Sequence, residues 1–104
     1  MGMVKRGDIY WVNLYPAVGT EIKKTHPALV VSADDMNEHL PRVIVAPITS
    51  KAQPLGCRPE IRLQGKRGRV LLDQIRCVDK VRLTRRIGKV DIAVWHPALL
   101  EMLA

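Results

Sequence analysis

Three clusters of polar side chains lie beside apolar segments of the chain, and together they hold the groups that metal-free cleavage of RNA requires. The clusters are Glu21, Lys23, Lys24 and His26; Thr49, Ser50 and Lys51; and Asp73, Gln74 and Arg76. Such cleavage needs a base that removes the proton of a 2′-OH, donors that stabilise the pentacoordinate phosphorane, and an acid that protonates the leaving 5′-oxygen. Carboxylate, imidazole, hydroxyl and cationic side chains can fill these roles if the clusters converge on one rim of the fold.

The same residues also have ordinary structural interpretations. Glu21 can be a solvated loop carboxylate, since charged side chains usually lie outside. His26 precedes a proline and can be a surface or packing residue, and Thr49 can cap a turn. Asp73 and Gln74 interrupt an apolar stretch, so this pair either finds hydrogen-bond partners or faces a functional groove. Spacing alone leaves both interpretations open.

The elements that must position these clusters are short strands. Val, Ile and Leu are abundant, Phe is absent, and aromatic residues make up only 4% of the chain, a composition that favours strands. Apolar or alternating segments predict strands at residues 9–14, 28–31, 43–46, 59–63, 69–72 and 75–78, with a turn at 65–68. A short helical turn is predicted from residues 32–35 to Leu40. With one terminal helix, this pattern predicts a mainly β, α+β fold: a small, strongly bent β-barrel of the SH3-like kind.

The start of the terminal helix has two alternative positions. Asp91 can cap a helix, but Pro97 would then lie beyond the first turn and remove a backbone hydrogen bond. A start near Pro97, followed by residues 98–103, avoids this loss and is the prediction.

Length and charge limit the classes of function. A chain of 104 residues, 47% hydrophobic and 26% charged, predicts one folded domain, residues 1–104, with a modest core. A homodimer would add stability to such a small domain. The formal net charge of +7 predicts affinity for a polyanion, which can be RNA, DNA or an acidic protein.

No metal site and no cofactor are predicted. Cys57 and Cys77 are isolated thiols without CxxC spacing, and none of the three histidines belongs to an HxxxH or HxH pair. The N-terminal residues lead into a polar turn at Gly7 and Asp8 rather than into an apolar segment. No apolar run approaches the roughly 20 residues that span a bilayer, so a cytoplasmic protein is expected.

Several blocks of the chain follow, in order, one known pattern. RGDIYWVNL and PAVGTE (residues 6–14 and 16–21) resemble R-G-D-[IV]-[YW] and P-x-x-G-[ST]-E, and THPALVV (25–31) resembles x-R-P-[AV]-[LV]-[VI]-[VL]. VIVAPITS (43–50) resembles V-x-V-A-P-[IV]-T-S, and VLLDQIRCVD (70–79) resembles L-[LC]-D-Q-[IV]-R-x-[IVL]-D. RIGKV (86–90) resembles the segment that precedes the last helix. These blocks are those of the MazF/PemK-like toxins, and the resemblance covers nearly the whole chain.

The resemblance implies a homodimer of barrel-like subunits that cuts single-stranded RNA in a groove using both subunits, without a metal ion, to leave 2′,3′-cyclic phosphate and 5′-OH ends. Glu21 matches a glutamate of the active site, in a flanking loop at residues 19–25, and Thr49 matches the threonine that contacts the scissile phosphate and 2′-OH. The RNA-binding residues expected from the matches and from charge are Lys23, Lys24, Ser50, Lys51, Arg58, Asp73, Gln74 and Arg76. The family also implies an acidic, partly disordered MazE-like antitoxin that covers the basic groove.

One departure from the family pattern concerns catalysis. The family has Arg immediately before the proline of the second strand, where this chain has His26. Histidine exchanges protons near neutrality, but it lacks the permanent charge and the fork of donors of arginine. We predict retained activity with Glu21, His26 and Thr49 as catalytic residues; a weakened enzyme and a catalytically inactive nucleic-acid binder are the alternatives. A further alternative is a gyrase poison like CcdB, although such toxins use a Trp close to the chain end and Trp95 lies well before it.

Overall fold

The fold is an antiparallel sheet with two helices, seen in a computed structural model that describes residues 3–14, 19–20 and 24–104. The strands are β1 (Asp8–Asn13), β2 (Thr25–Val30), β3 (Arg42–Thr49), β4 (Glu60–Leu63), β5 (Lys66–Val70), β6 (Arg76–Asp79) and β7 (Leu83–Lys89). The helices are α1 (Asp34–His39) and α2 (Ile92–Leu103), and short 3₁₀ helices cover Leu72–Gln74 and Lys80–Arg82. The predicted class, mainly β with a C-terminal helix, is confirmed.

The central strand β3 brings four segments of the chain to one place. The strand order is β4-β5-β3-β2-β1-β7, and β6 also pairs with β3. Residues 42–45 of β3 pair with β6, whereas Ile48 and Thr49 pair with β5. The 3₁₀ helix Leu72–Gln74 lies between β5 and β6 in the chain, and the Leu71 N–H next to it donates to the Pro47 carbonyl at 2.8 Å. The end of β3 is therefore close to β2, β5 and this 3₁₀ helix.

Alternation of side chains gives the sheet two buried faces. The first core consists of Ile9, Leu29, Val31, Ala46, Ile48, Ile61, Val70, Leu72, Val90, Trp95 and Leu99. The second core consists of Val4, Tyr10, Val12, Leu14, Ala28, Val30, Val43, Val45, Val78 and Leu83. Neighbours such as Ala28 and Leu29 belong to different cores, as the two-residue period of a strand requires. Strands β2 and β3 are thus buried on both sides, which explains their nearly continuous apolar sequences.

Helix α2 begins at Ile92, so the predicted start near Pro97 is wrong. The Asp91 carboxylate accepts a hydrogen bond from the Ala93 N–H at 2.8 Å and caps the helix. The early start also places the Trp95 side chain, fully buried, in the first core. Burying a large apolar side chain stabilises by about 1.5–3 kcal/mol and a cap by about 1 kcal/mol, which offsets the roughly 3 kcal/mol that an internal proline costs. Within the described residues, neither helix has the length and apolar sequence needed to cross a membrane.

Two strands extend through prolines that the sequence analysis placed outside them. β2 begins at Thr25 rather than Ala28, and β3 continues through Pro47 to Thr49. Each proline removes only one donor from its strand, and the fixed φ of proline is compatible with extended backbone. The consequence is functional, because His26 and Thr49 belong to strands and not to loops.

The second half of the sheet also differs from the prediction. The predicted turn at residues 65–68 is in fact a two-residue loop, Gln64 and Gly65, whose φ angles of 53° and 80° suit a tight hairpin. β7, residues 83–89, was not predicted, because only Leu83 is buried and the strand carries three cations. Pairing with β1 forms this strand despite its polar sequence.

Candidate active site

The pairing of β2 with β3 brings His26 and Thr49 together. The antiparallel register sets Ala28 opposite Pro47. Continued by two residues along each strand, the same register sets His26 opposite Thr49. Neighbouring strands lie about 5 Å apart, so the two side chains start from adjacent positions at one edge of the sheet. The antiparallel pairing therefore places two residues that are 23 positions apart in the chain at neighbouring places in the fold.

A cleft of about 370 Å³ opens beside this pair. This central cleft is lined by His26, Thr49, Lys51, Ala52, Gln53, Arg58, Leu71 and Gln74. Five of the residues selected from the sequence meet here: His26, Thr49, Lys51, Arg58 and Gln74. The convergence of the polar clusters on one rim, expected from the sequence, is thus observed for one or more members of each cluster. Gln53 was missed, because a glutamine in a loop carries no distinguishing sequence signal.

Arg58 is held in the central cleft by a network that uses both ends of its guanidinium. Nε donates to Asp73 Oδ1 at 3.0 Å, Nη2 to Asp73 Oδ2 at 2.9 Å, and Nη1 to the Gln53 carbonyl at 3.1 Å. The hydrogen bonds from Arg58 hold the pKa of the Asp73 carboxyl below its usual range, and the same bonds raise the pKa of Arg58. These bonds use three of the five N–H groups of the guanidinium, so Arg58 is fixed in orientation and retains donors for a ligand.

Thr49 presents a hydroxyl group at the end of β3. Its Oγ1 accepts a hydrogen bond from the Lys51 backbone N–H at 3.3 Å. A hydroxyl that accepts one bond can still donate its own proton. The turn between Thr49 and Lys51 therefore sets a donor hydroxyl beside an ammonium group in the same cleft.

A second pocket of about 430 Å³ adjoins the central cleft and shares His26, Thr49 and Lys51 with it. This side pocket is lined in addition by Trp11, Pro27, Ile48, Ser50, Leu63, Gln64, Lys66, Arg67, Gly68 and Ile87. It contains Ser50, which the sequence analysis selected. Trp11 and the β4–β5 hairpin were missed as site residues. The rarity of aromatic residues, 4% of the chain, was a sequence signal for Trp11, but it does not show where the ring lies.

A third pocket extends the central cleft at its other end. It has a volume of about 490 Å³ and shares Arg58 and Gln74 with the central cleft. Thr20, Asp73 and Ile75 complete its lining. The three pockets therefore form one groove that runs across the edge of the sheet, and we refer to it as the groove.

Two of the described residues selected from the sequence, Arg76 and Lys24, are not among the residues that line the groove, and two further selected residues lie outside the described part of the chain. The Arg76 Nη1 donates to the Leu14 carbonyl at 2.9 Å, which ties β6 to the end of β1. Lys24 is exposed, with a left-handed φ of 67°, and its carbonyl accepts from the Leu14 N–H at 3.0 Å. Glu21 and Lys23 lie outside the described residues. For all four, a role in RNA binding or catalysis stays a prediction.

Comparison with known proteins identifies the family. The family model described as PemK-like, MazF-like toxin of type II toxin-antitoxin system matches residues 5–99. Endoribonuclease EndoA of Bacillus subtilis (strain 168) is 39% identical over 95 residues, which cover 86% of this chain and 82% of that protein. Crystalline MazF from Deinococcus radiodurans has a TM-score of 0.85 at 25% identity, covering 99% of this chain and 98% of that one. A mycobacterial endoribonuclease solved with its cognate antitoxin has a TM-score of 0.80 at 23% identity, covering 96% and 94%. The chain therefore belongs to the PemK-like, MazF-like family of toxins of type II toxin–antitoxin systems.

Proposed function

We propose that this chain, an endoribonuclease toxin of the PemK/MazF family, cleaves single-stranded RNA in the central cleft by transesterification without a metal ion. The observation that carries the proposal is the convergence of His26, Thr49 and Lys51 on one cleft. A proton-transfer group, a hydroxyl donor and a permanent cation are thereby available to a single phosphate.

The reaction makes one bond to phosphorus and breaks another. The 2′-oxygen bonds to the adjacent phosphorus as the 2′-OH proton passes to a general base, and the P–O5′ bond breaks as a general acid protonates O5′. The products are a 2′,3′-cyclic phosphate and a 5′-OH end. His26 fills one of the two proton-transfer roles, since imidazole both accepts and donates protons, and Glu21 is assigned the other on its match to the family motif.

The phosphorane carries additional negative charge on its non-bridging oxygens, which needs fixed donors. The Lys51 ammonium and the Thr49 hydroxyl supply two of them, and the oriented Arg58 guanidinium supplies others. Because histidine replaces the arginine of the family pattern, the permanent positive charge at the phosphate comes from Lys51 and Arg58. Charge-assisted donors in a partly enclosed site stabilise a developing anion more than they do in water.

Single-stranded RNA fits this groove better than a duplex. Three connected pockets follow one another along the edge of the sheet, and unstacked bases can enter such pockets while a duplex keeps its bases stacked and paired. The net charge of +7 attracts the RNA backbone, and binding should therefore weaken with salt. Preference for a short sequence would arise from contacts to the base edges.

The active form is proposed to be a homodimer, and an acidic antitoxin is the proposed inhibitor. Leu100 and Leu103 on α2 leave 55% and 66% of their surface exposed, which is consistent with a further contact surface. An acidic, partly disordered partner would neutralise the basic groove and fold on binding. Light scattering tests the dimer. The protein encoded by the adjacent gene is the candidate inhibitor. Its failure to inhibit RNA cleavage would count against the proposed antitoxin.

The test of the nuclease is cleavage of a long single-stranded RNA by the purified chain in excess EDTA, with analysis of the new ends. Wild type should leave 5′-OH ends, and His26→Ala and Thr49→Ala should each lose at least about a hundredfold in rate, as expected for removal of a proton-transfer group or an oxyanion donor. Arg42→Gln is a matched control, because Arg42 is exposed at the far end of β3 from Thr49. It should cleave like wild type.

Three results would decide against parts of the proposal. Cleavage that EDTA abolishes contradicts the metal-free mechanism. An inert wild type with an active His26→Arg variant shows that catalysis has been lost at this position. RNA that binds with steep salt dependence but stays intact, in wild type and variant alike, identifies a nucleic-acid binder.

A further inference from the structure

We propose that the side pocket binds the unstacked base of the nucleotide next to the scissile phosphate, with the Trp11 indole as the surface on which this base stacks. The inference rests on the proposed function, because that function places the scissile phosphate in the central cleft. It adds to the reaction a base-stacking residue, Trp11, and a phosphate-binding hairpin, β4–β5.

The position of the side pocket follows from the residues it shares with the central cleft. His26, Thr49 and Lys51 line both spaces. An RNA strand whose scissile phosphate lies between these side chains must continue away from the cleft on each side. The side pocket is one continuation and the pocket with Asp73 is the other, so adjacent nucleotides enter them.

The walls of the side pocket suit the face of a base. Trp11, Pro27, Ile48, Leu63 and Ile87 provide apolar surface, and the volume of about 430 Å³ lies in the usual range for small-ligand sites. Trp11 is half-buried, and in the described part of the chain its ring has no aromatic partner. One face of a large aromatic side chain is thus open to stack on a base, an interaction that tolerates any base.

The close packing beneath this pocket depends on Gly68. A Cβ atom at Gly68 would lie 3.1 Å from Ile48 Cγ2, so a side chain at this position would press on the pocket wall. The lack of a side chain lets β5 approach β3 and keeps the space above them open.

The β4–β5 hairpin supplies polar groups at the rim. Gln64, in the tight turn, carries both donor and acceptor groups that can read a base edge. The Arg67 side chain is 67% exposed, and its Nε lies 3.7 Å from a Glu60 carboxylate oxygen, an exposed pair that contributes little. Arg67 and its neighbour Lys66 are therefore able to turn toward a phosphate. An aromatic face, an amide and two cations in one pocket match a nucleotide better than the apolar side chain of a protein partner.

The test uses tryptophan fluorescence, because the two Trp residues of the chain differ in exposure. Trp95 is fully buried, so a ligand in the side pocket should change the emission of Trp11 alone. The probes are 2′-O-methyl RNA homopolymers of each base, which have no free 2′-OH to attack, and anisotropy of a labelled copy measures affinity independently. Wild type should show a fluorescence change that saturates with binding.

Two substitutions at Trp11 separate stacking from other effects. Trp11→Phe should lose the fluorescence change but bind within about threefold of wild type, because a stacking face remains. Trp11→Leu should bind about tenfold more weakly, the lower part of the range for loss of one base–aromatic contact. Arg67→Gln should reduce the salt dependence of binding, whereas the control Arg42→Gln should not. Urea unfolding of each variant shows whether a loss of RNA binding comes from misfolding.

The outcomes distinguish this inference from the proposed function. Saturating RNA without a change in Trp11 emission, or a folded Trp11→Leu variant with wild-type affinity, overturns the base pocket while cleavage still supports the nuclease. A Trp11→Leu variant that binds RNA normally but escapes an acidic inhibitor protein also overturns it and assigns the pocket to a protein partner. A change in Trp11 emission on binding, together with natural single-stranded RNA that stays intact under every condition, supports the base pocket and counts against the nuclease.

Discussion

Arg58 and Asp73 form a two-point ion pair that connects the loop after β3 to the 3₁₀ helix Leu72–Gln74. The guanidinium Nε and Nη2 lie 3.0 and 2.9 Å from the two carboxylate oxygens. Arg58 lines the central cleft but Asp73 does not. Asp73 therefore acts on the cleft through Arg58, as a positioning residue. In the proposed mechanism, Arg58 and Lys51 supply the permanent charge that the family pattern takes from an arginine at the position of His26.

Replacing Asp73 should affect catalysis more than folding. In Asp73→Asn the amide retains one acceptor oxygen but presents an NH₂ group to a donor, so Arg58 loses its fixed orientation. We expect kcat to fall about tenfold, whereas the free energy of unfolding should fall by less than about 1 kcal/mol, since the pair is partly exposed. Single-turnover cleavage and urea unfolding measure the two quantities.

The matched control for this variant is Asp35→Asn. It removes the same charge from a carboxylate that is 94% exposed on α1. It should leave kcat unchanged. Equal losses of kcat in both variants would point to the overall charge of the protein and not to the Arg58–Asp73 pair.

The Arg58–Asp73 pair should also show a defined dependence on pH. Hydrogen bonding from Arg58 lowers the pKa of Asp73 in the folded protein, so the pair stabilises the fold fully above the ordinary Asp value of about 3.9. This stabilisation is lost as the pH falls from that value through the folded-state pKa. The difference in urea midpoint between wild type and Asp73→Asn should be constant from about pH 5 to about pH 8 and shrink below about pH 4. A difference that shrinks near neutrality would exclude Asp73 as its source.

The fold could be predicted where burial controls the sequence. β2 and β3 are apolar because both faces of the sheet are buried, and the segments at residues 28–31 and 43–46 were found for this reason. β7 was missed because its strand character comes from pairing with β1, which leaves no apolar alternation in the sequence. The start of α2 was misplaced because the burial of Trp95, a tertiary effect, outweighs the local cost of Pro97.

The candidate site could be predicted only in part. Residue types and family motifs identified His26, Thr49 and Gln74, which the antiparallel sheet brings to one cleft. The side pocket could not be found in this way, because Trp11 and Arg67 are 56 residues apart in the chain and lie on β1 and β5, two strands that are not neighbours in the sheet order. Arg76, selected as an RNA ligand, also has a structural contact that the sequence did not predict, because its guanidinium donates to the Leu14 carbonyl; its role in RNA binding stays a prediction.

The opposing contributions to α2 can be separated by two substitutions. Pro97→Ala restores the N–H that can donate to the Ala93 carbonyl, four residues earlier, and should raise the free energy of unfolding by about 1 kcal/mol, less than the full cost of an internal proline because the helix already tolerates it. Asp91→Ala removes the cap on the Ala93 N–H and should lower it by about 1 kcal/mol. Urea unfolding tests both. If Pro97→Ala proves destabilising, the bend or rigidity that the proline gives α2 is itself a stabilising feature.

The exchange of arginine for histidine before the second-strand proline should be visible in the pH dependence of cleavage. Imidazole exchanges a proton near neutrality, whereas a guanidinium stays protonated throughout. If His26 transfers a proton, kcat/KM of wild type should change near neutral pH, and His26→Arg should lack this change while binding RNA more tightly through its fork of donors. The measurement is cleavage from about pH 5 to about pH 9 at constant ionic strength. His39→Gln is the control, since His39 is an exposed histidine on α1 whose partner is Asp35, and it should keep the wild-type profile. Identical profiles for wild type and His26→Arg would remove His26 from the proton-transfer step and leave it only a place in the wall of the cleft.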